Sequence, residues 1–289
     1  MTGQKIDGTA VANSVKKLVR ASVSELKKDG VEPCLATILI GDDPASSSYV
    51  TSKQKDCSEV GIITKDHRLP REFSQMELDS LIDLLNNDKT VHGILVQLPL
   101  PKQLDEFSTT TRISPIKDVD GLTPYNVGLL ASGRAILKPC TPSGIMELFD
   151  YYGIDLSGKN VVIINRSNLV GKPLYHLMLE KNATVTTCHS KTKNLKDLCL
   201  GADIVVTAVG NRAKFTLTAD MIREGAVVID VGTSRVNGKL AGDADYDGII
   251  KKASYATPVP GGVGPMTRAM LLRNTVTAAS ISKGFATNR

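Results

Sequence analysis

Hydrophobic and polar positions change period several times along this chain, and each change marks an expected element. Across residues 7–28 the apolar side chains Val11, Val15, Leu18, Val19, Val23 and Leu26 recur at helical spacing, and Gly30 stands where a helix would stop. The run Cys34–Ile40 is almost wholly apolar and ends at Gly41, so it predicts a buried strand. Asp43 can then cap a helix that has Pro44 in its first turn and ends near Gly61. A strand is expected over residues 62–68. Ser74-Gln75-Met76-Glu77 forms a capping box before Leu78, Leu81, Ile82 and Leu85, and residues 91–97 give another buried strand. Residues 99–114 lack a strong period and read as loop.

Pro139-Cys140-Thr141-Pro142-Ser143 has the character of a hinge entering a helix, with Thr141 as the cap. A second series of short strands rich in Val, Ile and Thr follows at residues 160–165, 184–188, 203–209 and 226–231, and a last helix is expected over residues 266–283. Strands alternating with helices predict the α/β class with mainly parallel sheets. The expected architecture is two α/β lobes with a cleft between them, the second a Rossmann-like dinucleotide-binding domain. The first lobe spans residues 1–140 and is completed by the C-terminal helix at 268–289; the second spans 141–267.

Composition narrows the class. With 289 residues the chain has room for two domains of roughly 100–200 residues each. Five cysteines without a C-x-x-C pair favour a reducing compartment over a disulfide framework or a zinc site, and the four histidines show no metal-ligand spacing. The N-terminus lacks an apolar signal region, and no apolar run reaches the ~18 residues of a membrane span, so a soluble, cytoplasmic protein with no membrane partner is expected. A net charge of +5 hints at anionic ligands, but there is no basic run and only 4% aromatic residues, which argues against nucleic acid.

Candidate chemistry begins at Ser48-Tyr49-Val50-Thr51-Ser52-Lys53-Gln54-Lys55. On a helix Tyr49 and Lys53 share one face, and a partly buried Lys beside a Tyr can move protons. The same spacing also fits an ordinary amphipathic helix with a snorkelling lysine. In the second half, the strand at 160–164 turns through Asn165-Arg166-Ser167-Asn168-Leu169-Val170-Gly171-Lys172-Pro173 into a helix whose N-terminus can hold phosphate. There is no G-x-G-x-x-G, so the loop alone fits a plain βαβ turn as well as a nucleotide site. About twenty residues on, where NAD-binding domains place an acidic residue, stands His189-Ser190-Lys191-Thr192-Lys193. A cation with a hydroxyl suits a 2′-phosphate and therefore NADP; a solvated charged turn is the alternative.

Three more turns have polar tips: Val96-Gln97-Leu98-Pro99-Leu100-Pro101, Lys117-Asp118-Val119-Asp120-Gly121, and the glycine–proline loop from Tyr255 to Thr267. Asp120 can fork onto an amino-heterocycle, and the last loop allows close approach of backbone to a ligand. Asp-x-Asp-Gly would suit calcium, but the rest of an EF-hand loop is missing.

These motifs, in this order, resemble the bifunctional methylenetetrahydrofolate dehydrogenase/cyclohydrolase family, known as FolD. The resemblance rests on Gly41-Asp42-Asp43-Pro44-Ala45-Ser46 with Tyr49 and Lys53, Gln97 with its prolines, Lys117–Gly121, Arg166-Ser167 with Val170-Gly171, residues 184–192, and Pro258-Val259-Pro260-Gly261-Gly262-Val263-Gly264-Pro265-Met266-Thr267. It implies a first lobe that binds folate and a second that binds NADP. It implies that Lys53 is catalytic, with Tyr49 over the folate, Gln97 orienting Lys53, and Asp120 gripping the pterin. Arg166 and Ser190 fall at the NADP 2′-phosphate, with Ser167, Gly171, Lys191 and Thr233 also at the cofactor, and Pro260 and Gly261 at the substrate. No metal is implied. A homodimer, a folate substrate with or without a polyglutamate tail, and a place in one-carbon metabolism and purine biosynthesis follow from the same resemblance.

The sequence departs from the family at Asn165, where Gly is usual, and at Thr233-Ser234, where Ile-Asn is usual; both lie near the cofactor. A short-chain dehydrogenase also uses Tyr-x-x-x-Lys, but there the nucleotide strand comes first, whereas here Tyr49 and Lys53 precede it. A non-catalytic folate- or nucleotide-binding module would lack Lys53 or Gln97, and both are present.

Overall fold

The computed structural model describes residues 2–284. The chain divides into two units: Asn13–Cys140 with the chain from Arg268 onward, and Thr141–Thr267 with the residues up to Ala12. The chain opens with strand β1 (Gln4–Lys5) and helix α1 (Gly8–Lys28). Val11, Val15, Val19, Val23 and Leu26 of α1 are buried as expected, but Leu18 is 70% exposed. One residue is about 100° of helix, which carries Leu18 off the stripe defined by Val15 and Val19.

In the Asn13–Cys140 unit, β2 (Cys34–Ile40), α2 (Pro44–Val60), β3 (Ile63–Leu69), α3 (Gln75–Asn87) and β4 (Gly93–Val96) follow in turn. The three strands form a parallel sheet in the order β3-β2-β4. β2 is buried along its whole length, which its central place in the sheet requires. Asp43 accepts the Ser46 amide at 2.8 Å to start α2, and Gly61 ends it at φ +85°, a left-handed conformation that suits glycine. The Ser74–Glu77 capping box starts α3, whose Leu78, Ile82 and Leu85 pack on Ile38 and Ile94.

The stretch expected to be loop holds a helix, α4 (Glu106–Arg112), and α5 (Pro124–Ala131) follows. Asp105 caps the first by accepting from the Phe107 and Ser108 amides, and Thr123 caps the second. Both helices are too short to show a period, so their caps are the readable signal.

Helix α6 (Cys140–Tyr152) starts one residue before Thr141, so Thr141 is inside the helix and does not cap it. Its hydroxyl pairs with that of Thr267 at 2.9 Å instead. Beyond it lie β5 (Asn160–Ile164), α7 (Gly171–Glu180), β6 (Thr184–Cys188), α8 (Leu195–Leu200), β7 (Ile204–Thr207) and β8 (Val227–Asp230). Then come β9 (Ser234–Val236), β10 (Lys239–Ala241), α9 (Tyr246–Ile249), β11 (Tyr255–Ala256) and α10 (Val263–Ser282). A six-stranded parallel sheet runs β1-β11-β8-β7-β5-β6, and its jump from β5 out to β6 and back to β7 is that of a doubly wound fold. β1 pairs with β11, so the first residues join this sheet and not the lobe to which residues 1–140 were assigned. β9 and β10 form an antiparallel hairpin whose turn residues, Asn237 and Gly238, both have positive φ. Among the described residues no helix is long and apolar enough to cross a membrane.

Candidate active site

α2 places Tyr49 and Lys53 one turn apart, and the Lys53 amine lies 4.5 Å from the centroid of the Tyr49 ring. Lys53 is only 6% exposed. Its Nζ donates to Gln97 Oε1 at 3.1 Å, and no carboxylate forms a salt bridge with it among the described residues. Gln97 continues the chain beyond β4, its amide bonded to Ile38 O at 2.9 Å. The Gln97 side-chain NH₂ donates to Leu98 O at 2.8 Å, which fixes the carboxamide with its oxygen toward Lys53. Burial pushes the Lys53 amine below the ordinary lysine range, opposed in part by the charge of Asp120. The same burial, with Asp120 nearby, pushes the Tyr49 phenol up, so it stays protonated and can donate.

The two carboxylates of Lys117-Asp118-Val119-Asp120-Gly121 have separate places. Asp118 is buried and accepts from the Leu122 amide at 3.2 Å, the Thr123 amide at 2.8 Å and Asn126 Nδ2 at 2.9 Å, so it shapes the turn. Asp120 is half-buried, and burial raises its carboxyl while Lys53 pulls it down. The Cys140 thiol donates to Val119 O at 3.3 Å and lies beside the Asp120 carboxyl, which it helps to pull down. Burial next to that carboxylate keeps this thiol un-ionised. Asn274 of α10 completes the layer, donating to Val119 O and Lys138 O, both at 2.8 Å. One turn beyond Lys53, buried Asp56 forms ion pairs with Lys16 and, at 3.0 Å, with Arg268. Cys140, Asn274 and Asp56 carried no sequence signal, because their partners are far away along the chain.

In the six-stranded unit, Ile164 at the end of β5 is in register with Cys188 at the end of β6. Arg166 and Ser190 each lie two residues beyond, at the carboxyl edge of adjacent strands, where open α/β sheets bind ligands. Arg166, Ser190 and Lys191 are exposed, and among the described residues their side chains have no partner within the chain. A guanidinium, a hydroxyl and an ammonium without a carboxylate suit a phosphate dianion, so this edge fits NADP. Ser167 turns inward, its hydroxyl accepting from the Val170 amide at 3.1 Å. Gly171 starts α7, where an added Cβ would lie 2.3 Å from Asn165 O. The α7 N-terminus does not offer its first amides freely, since Asn165 and Ser167 already engage Gly171 and Val170.

Thr233 is exposed after β8, in a segment held by two buried acids. Asp230 accepts from the amides of Gly232, Asp243 and Ala244 at 2.8–3.0 Å. Asp243 accepts from Thr207 Oγ1 and the amides of Val209 and Gly210 at 2.6–3.0 Å. Pro260 and Gly261 belong to this unit as well; the Val259–Pro260 bond is cis, Gly261 has φ +99°, and its carbonyl accepts from the Thr9 amide at 3.2 Å. Among the described residues no group of three or more His, Cys, Asp or Glu could hold a metal ion.

Comparison with known proteins bears on both halves. The catalytic-domain model of the tetrahydrofolate dehydrogenase/cyclohydrolase family matches residues 6–120, and its NAD(P)-binding-domain model matches residues 139–283. The chain is 68% identical to the bifunctional protein FolD of Nitrosopumilus maritimus (strain SCM1) over 282 residues, 98% of each chain. The crystal structure of the bifunctional FolD methylenetetrahydrofolate dehydrogenase/cyclohydrolase from Campylobacter jejuni matches with TM-score 0.93 at 47% identity, covering 96% of this chain and 99% of that one. The Trypanosoma brucei FolD structure, complexed with NADP cofactor and inhibitor, matches with TM-score 0.93 at 38% identity over 98% and 99% of the two chains. Matches of this extent leave one affiliation: the chain belongs to the tetrahydrofolate dehydrogenase/cyclohydrolase family.

Proposed function

We propose that this chain oxidises 5,10-methylenetetrahydrofolate with NADP⁺ and hydrolyses the resulting 5,10-methenyltetrahydrofolate to 10-formyltetrahydrofolate. Family membership supports both activities. NADP⁺, held by Arg166, Ser190 and Lys191, supplies the hydride acceptor. For oxidation the protein aligns and desolvates the folate: Tyr49 packs on its ring, and Asp120 forks onto the pterin amino group.

Hydrolysis needs a base and then an acid, and Lys53 serves as both. Its neutral amine takes a proton from the water that adds to the methenyl carbon. It returns that proton to the ring nitrogen as the carbon–nitrogen bond breaks. The hydroxyl proton leaves as the formyl carbonyl forms, so one proton is released per turnover.

The observation that carries this assignment is the Lys53 amine itself: nearly dry, lowered in pKa, and held by a neutral carboxamide at 3.1 Å. An ammonium brings three N–H donors to satisfy, whereas a neutral amine brings two and a lone pair that can take a proton. Lys53→Met keeps the stem and deletes the amine. It is expected to lose about 10²–10⁴-fold in methenyltetrahydrofolate hydrolysis while retaining part of the dehydrogenase activity, read by absorbance at 340 nm. Hydrolysis at the wild-type rate would remove Lys53 from the mechanism.

The protein is proposed to act in the cytoplasm as a homodimer on folates with or without a polyglutamate tail. Light scattering that gives the monomer mass, 30.9 kDa, would contradict the dimer.

A further inference from the structure

Asn165 stands between β5 and α7 and uses its carboxamide in two directions. Oδ1 accepts from the Ser167 amide at 2.7 Å and the Gly171 amide at 3.0 Å, folding the loop onto the start of α7. Nδ2 donates to Ala208 O at 2.6 Å, tying that loop to the chain leaving β7. With Ser167 Oγ on the Val170 amide, the amides of Ser167, Val170 and Gly171 are all engaged within the chain. What the loop offers an anion is therefore the Arg166 side chain, exposed and without a partner among the described residues. Arg166 lies between the two residues, Asn165 and Ser167, that make these bonds. Three side-chain bonds between residues 165 and 171 leave its backbone little freedom, so less ordering remains to be done when a ligand binds.

Resting on the NADP assignment above, we propose that Asn165 is a positioning residue that fixes Arg166 beside Ser190 to read the cofactor's 2′-phosphate. Asn165 touches neither the reacting atoms nor the phosphate; it acts through Arg166. Its removal should therefore be felt by NADP and hardly by NAD, a selectivity that general damage to the fold would not produce.

The test measures Kd for NADP and NAD, with kcat at saturating NADP, in Asn165→Gly, Arg166→Ala and the double variant. Asn165→Gly should weaken NADP about tenfold, as expected for loss of one well-placed contact, change NAD by less than about twofold, and leave kcat in place. The double variant should bind NADP no worse than Arg166→Ala alone, because a positioning residue has nothing left to position. Equal losses for NADP and NAD, or additive losses in the double variant, would overturn the proposal. Arg166→Ala that weakens NADP and NAD alike would instead overturn the cofactor assignment on which it rests. If Asn165→Gly melts too low to assay, Asn165→Ala, which likewise lacks the carboxamide, gives the same comparison.

Discussion

Lys53 and Arg166 are both basic side chains proposed to meet a ligand, and they are built on opposite physical terms. Lys53 is buried, with one neutral acceptor at 3.1 Å and an aromatic face beside it, so its charge is expensive and its proton is loose. Arg166 is exposed, on a loop stitched by Asn165, and offers a planar fork of N–H donors to solvent. The first arrangement suits proton transfer, and the second suits holding an anion. Burial of a charged group alone does not mark catalysis, as Asp230 and Asp243 show. Each acid is closed off by three donors, which makes the pair a support for the loops around Thr233. Lys53 differs in having most of its bonding capacity unspent.

The largest effect that sharpens this contrast comes from the saturated acids. Burial outweighs three amide donors at Asp230 and raises its carboxyl from 3.8 to about 6. The folded state thus holds this proton more tightly than the unfolded chain. The associated stability, about 3 kcal/mol at 1.36 kcal/mol per unit, is full below about pH 4 and lost as pH rises through about 6. Urea midpoints should therefore carry a falling component across that window, and Asp230→Asn should flatten it. An unchanged slope in the variant would assign the titration elsewhere.

Next in size is Gln97→Leu, which removes the acceptor from Lys53 while keeping the bulk. Once Lys53 has taken the water's proton, its bond to Gln97 is one to a charged group and contributes about 1.5–3 kcal/mol, so hydrolysis should fall roughly tenfold to a hundredfold with the KM for NADP unchanged. A rise in that KM with hydrolysis intact would break the division between the two regions.

The smallest effect is that of salt. Exposed charges are screened over about 10 Å at 0.1 M ionic strength, so raising salt should increase the KM for NADP a few-fold. The kcat for hydrolysis at the buried amine should hardly move. Equal sensitivity of both would mean that Lys53 is not shielded.

The sequence revealed these regions unequally. Buried strands such as Cys34–Ile40, the Ser74–Glu77 box and the Tyr49/Lys53 spacing were legible because each signal is local. α4 and α5 were not, since seven or eight residues are too few for a period and only Asp105 and Thr123 announce them. β11 is two residues long and exists through its pairing with β1 and β8. The Asn237-Gly238 hairpin had a readable turn, but its strands are three residues each. At the site, Lys53, Gln97 and Asp120 could be named from motifs, whereas Asp118 and Asp120 separate into turn-former and site carboxylate only when the donors to Asp118 are seen. Cys140 and Asn274 lie 134 residues apart, and nothing local links them. Asn165 was visible as a departure from the family, but its three bonds require the fold.

The central claim is that the Lys53 amine is displaced below its ordinary range and moves the proton in hydrolysis. The most direct test is the pH dependence of kcat for methenyltetrahydrofolate hydrolysis in wild type and Lys53→Met, after subtraction of the uncatalysed rate. The wild-type profile should rise through an ionisation below the ordinary lysine range, and the variant should lack that step along with most of the rate. A step of the same position and size in both proteins would contradict the assignment of the proton to Lys53.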